Sequence, residues 1–396
     1  MNKGLFVMAL EVSNLNKRNV YLMYLIIFLQ GFVFYGPVAV IYRQRRGLAV
    51  SSIFIIESIS WILMIILEIP WGYFADRFGY KKTLVISNIL FFISKIVFYK
   101  AHSFNMFLLE RILMAFSLSG ISGCDIALLY SSINEKESEK VFGRYSALSN
   151  AGLFLASIIS SILVKYSLDS TALLTSVFYG IASILTFFLT EVEVKNKNRI
   201  NIKLCIDFVK SSKNIILLIF AVSLINEVVQ AVAVFLYQIK LINCGFNIVY
   251  FGLLTAFLQL VRISSAKTHV LSSKFGQNKS LMIFFIIITL SCLAFLTLKN
   301  IPIIIIALAL MCSSSAMISP IILDIENKSI SIQDRATVLS IYAMCGDILS
   351  SAVNVVIGKV SDISIEASFT FCIIICFFAL ILLCLNFKGQ FFNKYS

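Results

Sequence analysis

Long apolar stretches recur along the chain from Val20 to Phe387, separated by short polar segments. Each stretch is roughly 20 residues long, enough for a helix to cross a hydrocarbon core of about 30 Å. Because lipid offers the backbone no hydrogen-bond partners, such stretches are helical. Their apolar positions are continuous rather than alternating, which argues against a β-barrel. The pattern predicts an all-α membrane protein with twelve transmembrane spans, at 20–41, 53–73, 84–99, 104–129, 143–164, 170–190, 214–237, 249–268, 281–298, 301–323, 336–357 and 366–387.

A polar, basic stretch between the sixth and seventh spans interrupts this pattern near the middle of the chain. It predicts a linker at 191–213 between two six-helix bundles, residues 1–190 and 214–396. The composition agrees with membrane residence, since 59% of residues are hydrophobic and 13% are charged. A soluble domain carries about 25% charged residues, so the sequence argues against a soluble protein.

The formal net charge of +13 first suggests a nucleic-acid partner, but the positions of the charges argue against one. Lys and Arg are concentrated in the loops of one side, as expected for the cytoplasmic side of a membrane protein. The loop with Arg43, Arg45 and Arg46 is the exception, and we place it outside. We therefore expect a multi-pass protein of a bacterial inner membrane, with both termini in the cytoplasm and the lipid bilayer as its surroundings.

The two halves repeat each other in sequence. GYFADRFGYKKTL begins at Gly72 and HVLSSKFGQNKSL begins at His269, an offset of 197 residues that aligns Gly79 with Gly276. A second pair opens spans five and eleven, RYSALS from Arg144 and RATVLS from Arg335. Two matches at equivalent places indicate a duplicated six-helix unit.

The segment GYFADRFGYKK resembles the signature loop between helices two and three of the major facilitator superfamily. The resemblance implies a fold of two pseudo-symmetric six-helix bundles, and a gate in which Asp76 lies against the start of the eleventh helix and Arg77 faces Asp125. The alternative is that Arg77, Lys81 and Lys82 only satisfy the charge bias of cytoplasmic loops. The positions of this gating motif are Gly72, Asp76, Arg77, Gly79, Lys81, Lys82 and Asp125.

Spans four and five match the resembling family less completely. Arg111 in span four corresponds to the family's helix-four arginine, although the residues usual after it do not align. Span five lacks the proline of drug–proton antiporters, and its small residues, including Gly152, suit close helix packing.

Polar and charged side chains inside the spans predict a central cavity, because burying a charge in lipid is costly and such groups face a cavity or one another. We expect Arg262 to pair with Glu227 or Asp347, as part of a proton switch or as a static ion pair; Lys95 is expected to extend toward the membrane surface. The candidate cavity residues are Gln30, Glu57, Trp61, Arg111, Glu227, Gln230, Gln259, Arg262 and Asp347.

These features predict a secondary transporter that works by alternating access, with a small organic molecule as cargo and the proton gradient as its energy source. An apolar, aromatic cavity favours export of an amphiphilic compound, and proton-coupled import of a nutrient or metabolite is the alternative. No GxxxxGK[ST] string and no catalytic His, Asp and Glu constellation is present, so we expect neither an ATP-driven pump nor an enzyme. We expect no cofactor or metal, and a monomer.

Overall fold

The computed structural model describes residues 3–133, 138–192, 207, 209–210, 212–263, 268–330 and 335–392. Within its helices, the side chains of residues 3–16, 69, 76, 138–140, 143, 269, 327, 335–337, 340 and 388–392 are not described. The α-helices are α1 Lys3–Gln30, α2 Ala39–Arg45, α3 Val50–Phe78, α4 Tyr80–Lys100, α5 Phe104–Ile121, α6 Cys124–Ser131, α7 Ser138–Tyr166, α8 Leu168–Thr186, α9 Lys213–Gln230, α10 Tyr237–Asn243, α11 Phe251–Arg262, α12 Thr268–Phe275, α13 Gln277–Thr297, α14 Ile301–Ser329, α15 Arg335–Ser361 and α16 Ile365–Phe392.

Ten helical segments of the described residues are long and apolar enough to cross a membrane, and a shorter apolar one runs over Ile248–Arg262. These segments are identified by their length and apolar composition, and they differ in how much of each is buried inside the protein. Lys213–Asn243 is 61% buried, the largest share among the ten, whereas Arg144–Tyr166 is 28% buried. More than half of the apolar window in the first segment is therefore buried inside the protein, against less than a third in the second.

Two of the predicted spans are broken rather than continuous. The first predicted span, 20–41, is interrupted between α1 and α2, where the chain forms a short 3₁₀ turn at Gly36–Val38. The fourth, 104–129, is interrupted between α5 and α6 at Ser122 and Gly123, and Gly123 has a φ of 78°. The sequence contained the signals for both breaks, since glycine and proline interrupt helices.

A wider helical turn separates α9 from α10. Residues Ala231–Leu236 form a π-helix, in which the amide of Tyr237 donates to the carbonyl of Val232. Such turns are rare and occur frequently at functional sites. The turn follows directly after Glu227 and Gln230, two of the candidate cavity residues.

The structure reproduces the sequence repeat at the start of α4 and α13, which begin 197 residues apart. Gly79 and Gly276 precede these helices with φ of 96° and 82°, a region that residues with a Cβ rarely adopt. The hydroxyl of Thr83 donates to the carbonyl of Gly79 at 2.8 Å, and Ser280 donates to that of Gly276 at 2.9 Å. At these two helix starts, the sequence repeat is therefore matched in backbone geometry.

The described chain clusters into two compact units. Unit 1 comprises residues 1–48, 59–196 and 248–256, and unit 2 comprises residues 49–58, 197–247 and 257–396. Each unit has its own hydrophobic cluster: Leu84, Leu128 and Leu129 are fully buried in unit 1, and Val338 with Tyr342 lies at the centre of one in unit 2.

Within unit 1, α1 and α7 approach closely at a pair of glycines. A Cβ added to Gly31 would lie 2.6 Å from the backbone oxygen of Ser149 and 2.9 Å from the Cα of Gly152. Ala156, Ser157 and other small residues of α7 are completely buried along the same helix. The small residues of the fifth predicted span therefore serve helix packing, as the sequence indicates.

Candidate functional site

The signature loop is a tight turn closed by a carboxylate from a distant part of unit 1. Glu191, after α8, accepts a hydrogen bond from the backbone amide of Lys81 at 3.1 Å. A Cβ on Gly79 would overlap the Glu191 carboxylate, which is the flexible end of an exposed side chain and would have to move. The positive φ is therefore the stronger requirement for glycine here. The negative side chain lies at the positive end of α4, where it stabilises the first turn.

Arg77 and Asp125 do not pair in this structure, contrary to the expectation from family resemblance. The guanidinium of Arg77 donates to the Tyr73 hydroxyl at 3.4 Å and lies over the ring of Phe78. Asp125 accepts from the Tyr145 hydroxyl at 2.9 Å and from the amide of Ile126 at 2.7 Å. Each group therefore contacts neighbours on its own or an adjacent helix rather than the other group. The side chain of Asp76, and the start of the eleventh predicted span that it was expected to face, lie outside the described residues.

A cluster of buried charges lies in unit 1 between α2 and α5. Glu110 is 0% exposed, with its Oε2 atom 3.7 Å from Nη2 of Arg43 and 3.5 Å from Nε of Arg111. Arg43 is 2% exposed, and its guanidinium lies over the rings of Phe98 and Phe107 at 5.4 and 6.0 Å from the centroids. One carboxylate is thus shared between two cations in an apolar, aromatic setting, where electrostatic interactions are strong.

Lys95 on α4 is buried beside this cluster and does not extend to the membrane surface. It is 3% exposed, and its ammonium donates to the Tyr35 hydroxyl at 2.9 Å. The ammonium also lies 4.7 Å from the ring centroid of Phe91 and 5.0 Å from that of Tyr179. The expectation of an outward lysine was wrong because the break after α1 brings Tyr35 within reach, and the aromatic rings attract the cation.

Gln30 is the last residue of α1, at the edge of the helix break. Its side chain donates to Asn88 at 2.6 Å, and its backbone carbonyl accepts from the Tyr179 hydroxyl at 2.8 Å. The amide of Phe34 donates to the Thr175 hydroxyl at 3.0 Å. The break leaves backbone amide and carbonyl groups without partners inside a helix, and buried groups of this kind need hydrogen bonds. Side chains of α8 supply them.

Glu227 and Glu57 are the buried carboxylates among the described residues of unit 2. Glu227 is 5% exposed, and its Oε1 atom has no hydrogen-bond partner among the described residues. Glu57, in α3, is 6% exposed and carries a like charge within electrostatic range of Glu227. A buried polar atom without a partner is uncommon and calls for a functional explanation.

Arg262 does not pair with Glu227 in this structure. Its side chain is exposed at the end of α11, and Nη2 lies 4.0 Å from the sulfur of Cys312. The end of α11 places the guanidinium away from the buried Glu227, so the expected ion pair between them is not formed.

The remaining candidate residues differ in exposure. Asp347 on α15 is exposed, as are Trp61 and Gly72 on α3, whereas Gln230 and Gln259 are half-buried. The predicted cavity set therefore falls into separate groups: Gln30, Trp61 and Arg111 belong to unit 1, and Glu57, Glu227, Gln230, Gln259, Arg262 and Asp347 belong to unit 2.

Sequence reasoning missed three residues of these sites. Glu110 sits beside the recognised Arg111, and an intramembrane carboxylate next to an arginine was itself a signal for an ion pair. Arg43 was assigned to an outside loop, although it directly follows an apolar stretch. Glu191 was assigned to the linker, and nothing in its local sequence indicates that it closes the turn at Gly79.

A sequence profile of the Major Facilitator Superfamily matches residues 20–354 of the chain. The Quinolone resistance protein NorA of Staphylococcus aureus is 26% identical over 199 residues, which are 50% of this chain and 47% of that protein. The matched region thus spans about half the length of these curated relatives.

Solved structures agree with the chain over a larger part of its length. The nucleoside transporter NupG superimposes with a TM-score of 0.77 and 16% sequence identity, covering 95% of this chain and 98% of that one. The POT family transporter PepTSo gives a TM-score of 0.75 with 14% identity, covering 94% and 98%. At these identities, the likeness concerns the fold alone.

Proposed function

Since the chain belongs to the major facilitator superfamily, we propose that this membrane transporter exports a small amphiphilic organic compound in exchange for protons. The predicted all-α membrane fold of this superfamily is confirmed by the sequence profile and by the solved structures. The proposal includes residence in the bacterial plasma membrane, with both termini in the cytoplasm and with one chain as the working unit.

Glu227 is the observation that carries the proposed coupling to protons. A charged carboxylate oxygen buried without a hydrogen-bond donor costs several kcal/mol, and a bound proton removes that charge. If the surroundings of Glu227 alternate between wet and dry during transport, its protonation alternates with them. Glu57, buried in the same unit, is a second carboxylate within electrostatic range, and two like charges there disfavour one another.

Export is supported by the likeness to NorA, whose name is that of a quinolone resistance protein. An amphiphilic cargo agrees with the aromatic content of the chain, 35 Phe and 15 Tyr, because aromatic faces bind both apolar and cationic groups. Import of a nutrient or metabolite by the same fold is the competing hypothesis, and the direction of net movement separates the two.

Transport in everted membrane vesicles tests the coupling. An acid interior is established, and uptake of ethidium or norfloxacin is followed together with proton release by a pH-sensitive dye. Glu227→Gln keeps the shape of the side chain but cannot take up a proton, so we expect gradient-driven transport to fall at least tenfold while equilibrium binding of the cargo changes less than threefold. Glu366→Gln, an exposed carboxylate at the start of α16, is the matched control and should leave transport unchanged.

The proposal is contradicted if Glu227→Gln transports as well as wild type. It is also contradicted if transport persists after an uncoupler collapses the gradient and stops on ATP depletion. In intact cells, export predicts that loss of the gene raises dye accumulation, and import predicts that it lowers it.

A further inference from the structure

A groove lies on the surface of unit 1 between the end of α3, the start of α4 and the residue after α8. Its volume is about 300 Å³, at the lower end of the range for ligand pockets. Its walls are almost entirely apolar, apart from two lysines. The lining residues are Phe74, Phe78, Lys81, Lys82, Val85, Ile86 and Phe187.

The ends of two candidate membrane spans lie beside the groove, so we expect it at the boundary of the membrane. The candidate span Tyr80–Lys100 begins beside it, and the candidate span Leu168–Thr186 ends one residue before Phe187. Phe78 and Phe187 are 43% and 54% exposed, so apolar surface is left open at this end of the two candidate spans. Exposing this apolar surface to water is unfavourable in free energy, whereas contact with an acyl chain is not.

The two lysines give the groove a charged edge at one end. Lys81 is half-buried and Lys82 is exposed in the first turn of α4, and flexible stems allow both ammonium groups to reach the headgroup level. Glu191 is the carboxylate near them, and it already accepts from the backbone amide of Lys81. The backbone amide of Lys81 is therefore engaged. The stems of the two lysines line the groove, and their ammonium groups are the charged donors beside it.

From this arrangement we propose that the groove binds one anionic phospholipid, with its phosphate on Lys81 and Lys82 and an acyl chain along the aromatic wall. Each lysine close to an anionic lipid headgroup raises the affinity for that lipid by about fivefold. Together they predict a preference of about 10- to 30-fold for phosphatidylglycerol over phosphatidylcholine with the same chains.

The internal repeat supplies a matched control within the chain. The positions 197 residues after Lys81 and Lys82 are Asn278 and Lys279, in the first turn of α13. Lys279 is exposed like Lys82 and occupies the equivalent turn. Lys279→Gln therefore removes one positive charge at the same kind of helix start without touching the groove.

Native mass spectrometry of the full-length protein, titrated with each lipid in detergent, measures retention directly and independently of transport. We expect wild type to retain phosphatidylglycerol at the stated preference, Lys81→Gln with Lys82→Gln to lose it, and Lys279→Gln to keep it within twofold. Phe187→Ala should weaken retention of both lipids and keep the headgroup preference. Circular dichroism and gel filtration check that each variant is folded; if the double variant is not, Lys82→Gln alone should lower the preference about fivefold.

Three results would overturn the proposal. Equal retention of the two lipids by wild type would mean that the groove holds only annular lipid. An equal loss in Lys279→Gln would assign the preference to overall charge rather than to this groove. Displacement of phosphatidylglycerol by glycerol 3-phosphate at similar concentration would identify a site for free phosphate compounds. None of these results bears on the proposed export, so the two proposals fail separately.

Discussion

Replacing Gly31 by alanine should destabilise unit 1, because α1 and α7 leave no space for a methyl group at this point. The added Cβ would lie 2.6 Å from the backbone oxygen of Ser149 and 2.9 Å from the Cα of Gly152. Both distances are about 1 Å shorter than van der Waals contact. The neighbours are backbone atoms, which cannot rotate aside as a side chain does, so the two helices must separate.

The size of the effect follows from two opposing terms. Overpacking of this kind costs about 1–3 kcal/mol. Alanine restricts the unfolded chain more than glycine does, which returns about 0.4–1 kcal/mol. The net loss is about 1–2 kcal/mol, which corresponds to a fall in Tm of roughly 2 to 8 °C for a unit of this size.

Gly36→Ala is the matched control, since Gly36 lies in the same break between α1 and α2. A Cβ there would meet Val33 at 3.7 Å, an ordinary contact, so Gly36→Ala should leave Tm unchanged or raise it slightly. The assay is thermal unfolding of purified protein in detergent, followed by thiol-reactive dye fluorescence and by loss of the monomer peak in gel filtration.

A double-mutant cycle makes the test stricter. Once Gly31→Ala has pushed the helices apart, Gly152→Ala should add little, so the double variant should lose at least about 0.5 kcal/mol less than the sum of the single variants. The reasoning is refuted if Gly31→Ala and Gly36→Ala shift Tm by the same amount, or if the two alanines at the crossing are additive.

Two further predictions concern the buried charges and the signature turn. Glu110→Gln removes the charge of the carboxylate that Arg43 and Arg111 share, and should cost about 3 kcal/mol in the same unfolding assay. Asp169→Asn breaks the ion pair between Asp169 and Arg46, whose side chains are 52% and 13% exposed, and should cost less than about 1 kcal/mol. A larger loss in Asp169→Asn than in Glu110→Gln would contradict the expected effect of burial. Gly79→Ala should cost about 1–3 kcal/mol because of its backbone conformation, and a further amount because Glu191 must move. Gly276→Ala should cost the conformational part alone, since open space surrounds its Cβ. Equal losses in Tm for the two alanine variants would show that contact with Glu191 is not limiting.

The fold could be predicted from sequence because its determinants are local or periodic. Apolar stretches of membrane length mark the spans, and the offset between Gly79 and Gly276 identifies the repeat down to the backbone conformation. The broken spans were also signalled, by Gly36 with Pro37 in the first and by Gly123 in the fourth. The prediction of one continuous helix for each span was wrong, whereas the prediction that these segments are helical was correct.

The buried polar sites were predicted less well because they depend on contacts between distant parts of the chain. Lys95 meets Tyr35 60 positions away, and Glu191 closes the turn at Lys81 110 positions away. A helical pattern states which face a residue occupies, but it does not state which other helix covers that face. The expected pairing of Arg77 with Asp125 was wrong for the opposite reason, since Arg77 contacts Tyr73, four residues away on the same helix.

The π-helical turn at Ala231–Leu236 affects how this chain is aligned with its relatives. A π turn holds one more residue than the α turn that it replaces, so a homologue with a regular helix here is one residue shorter. An ungapped alignment across this segment would then compare residues on different sides of the helix. Equivalences of Glu227 and Gln238 with positions in such a homologue are sound only when a single-residue gap is placed between them.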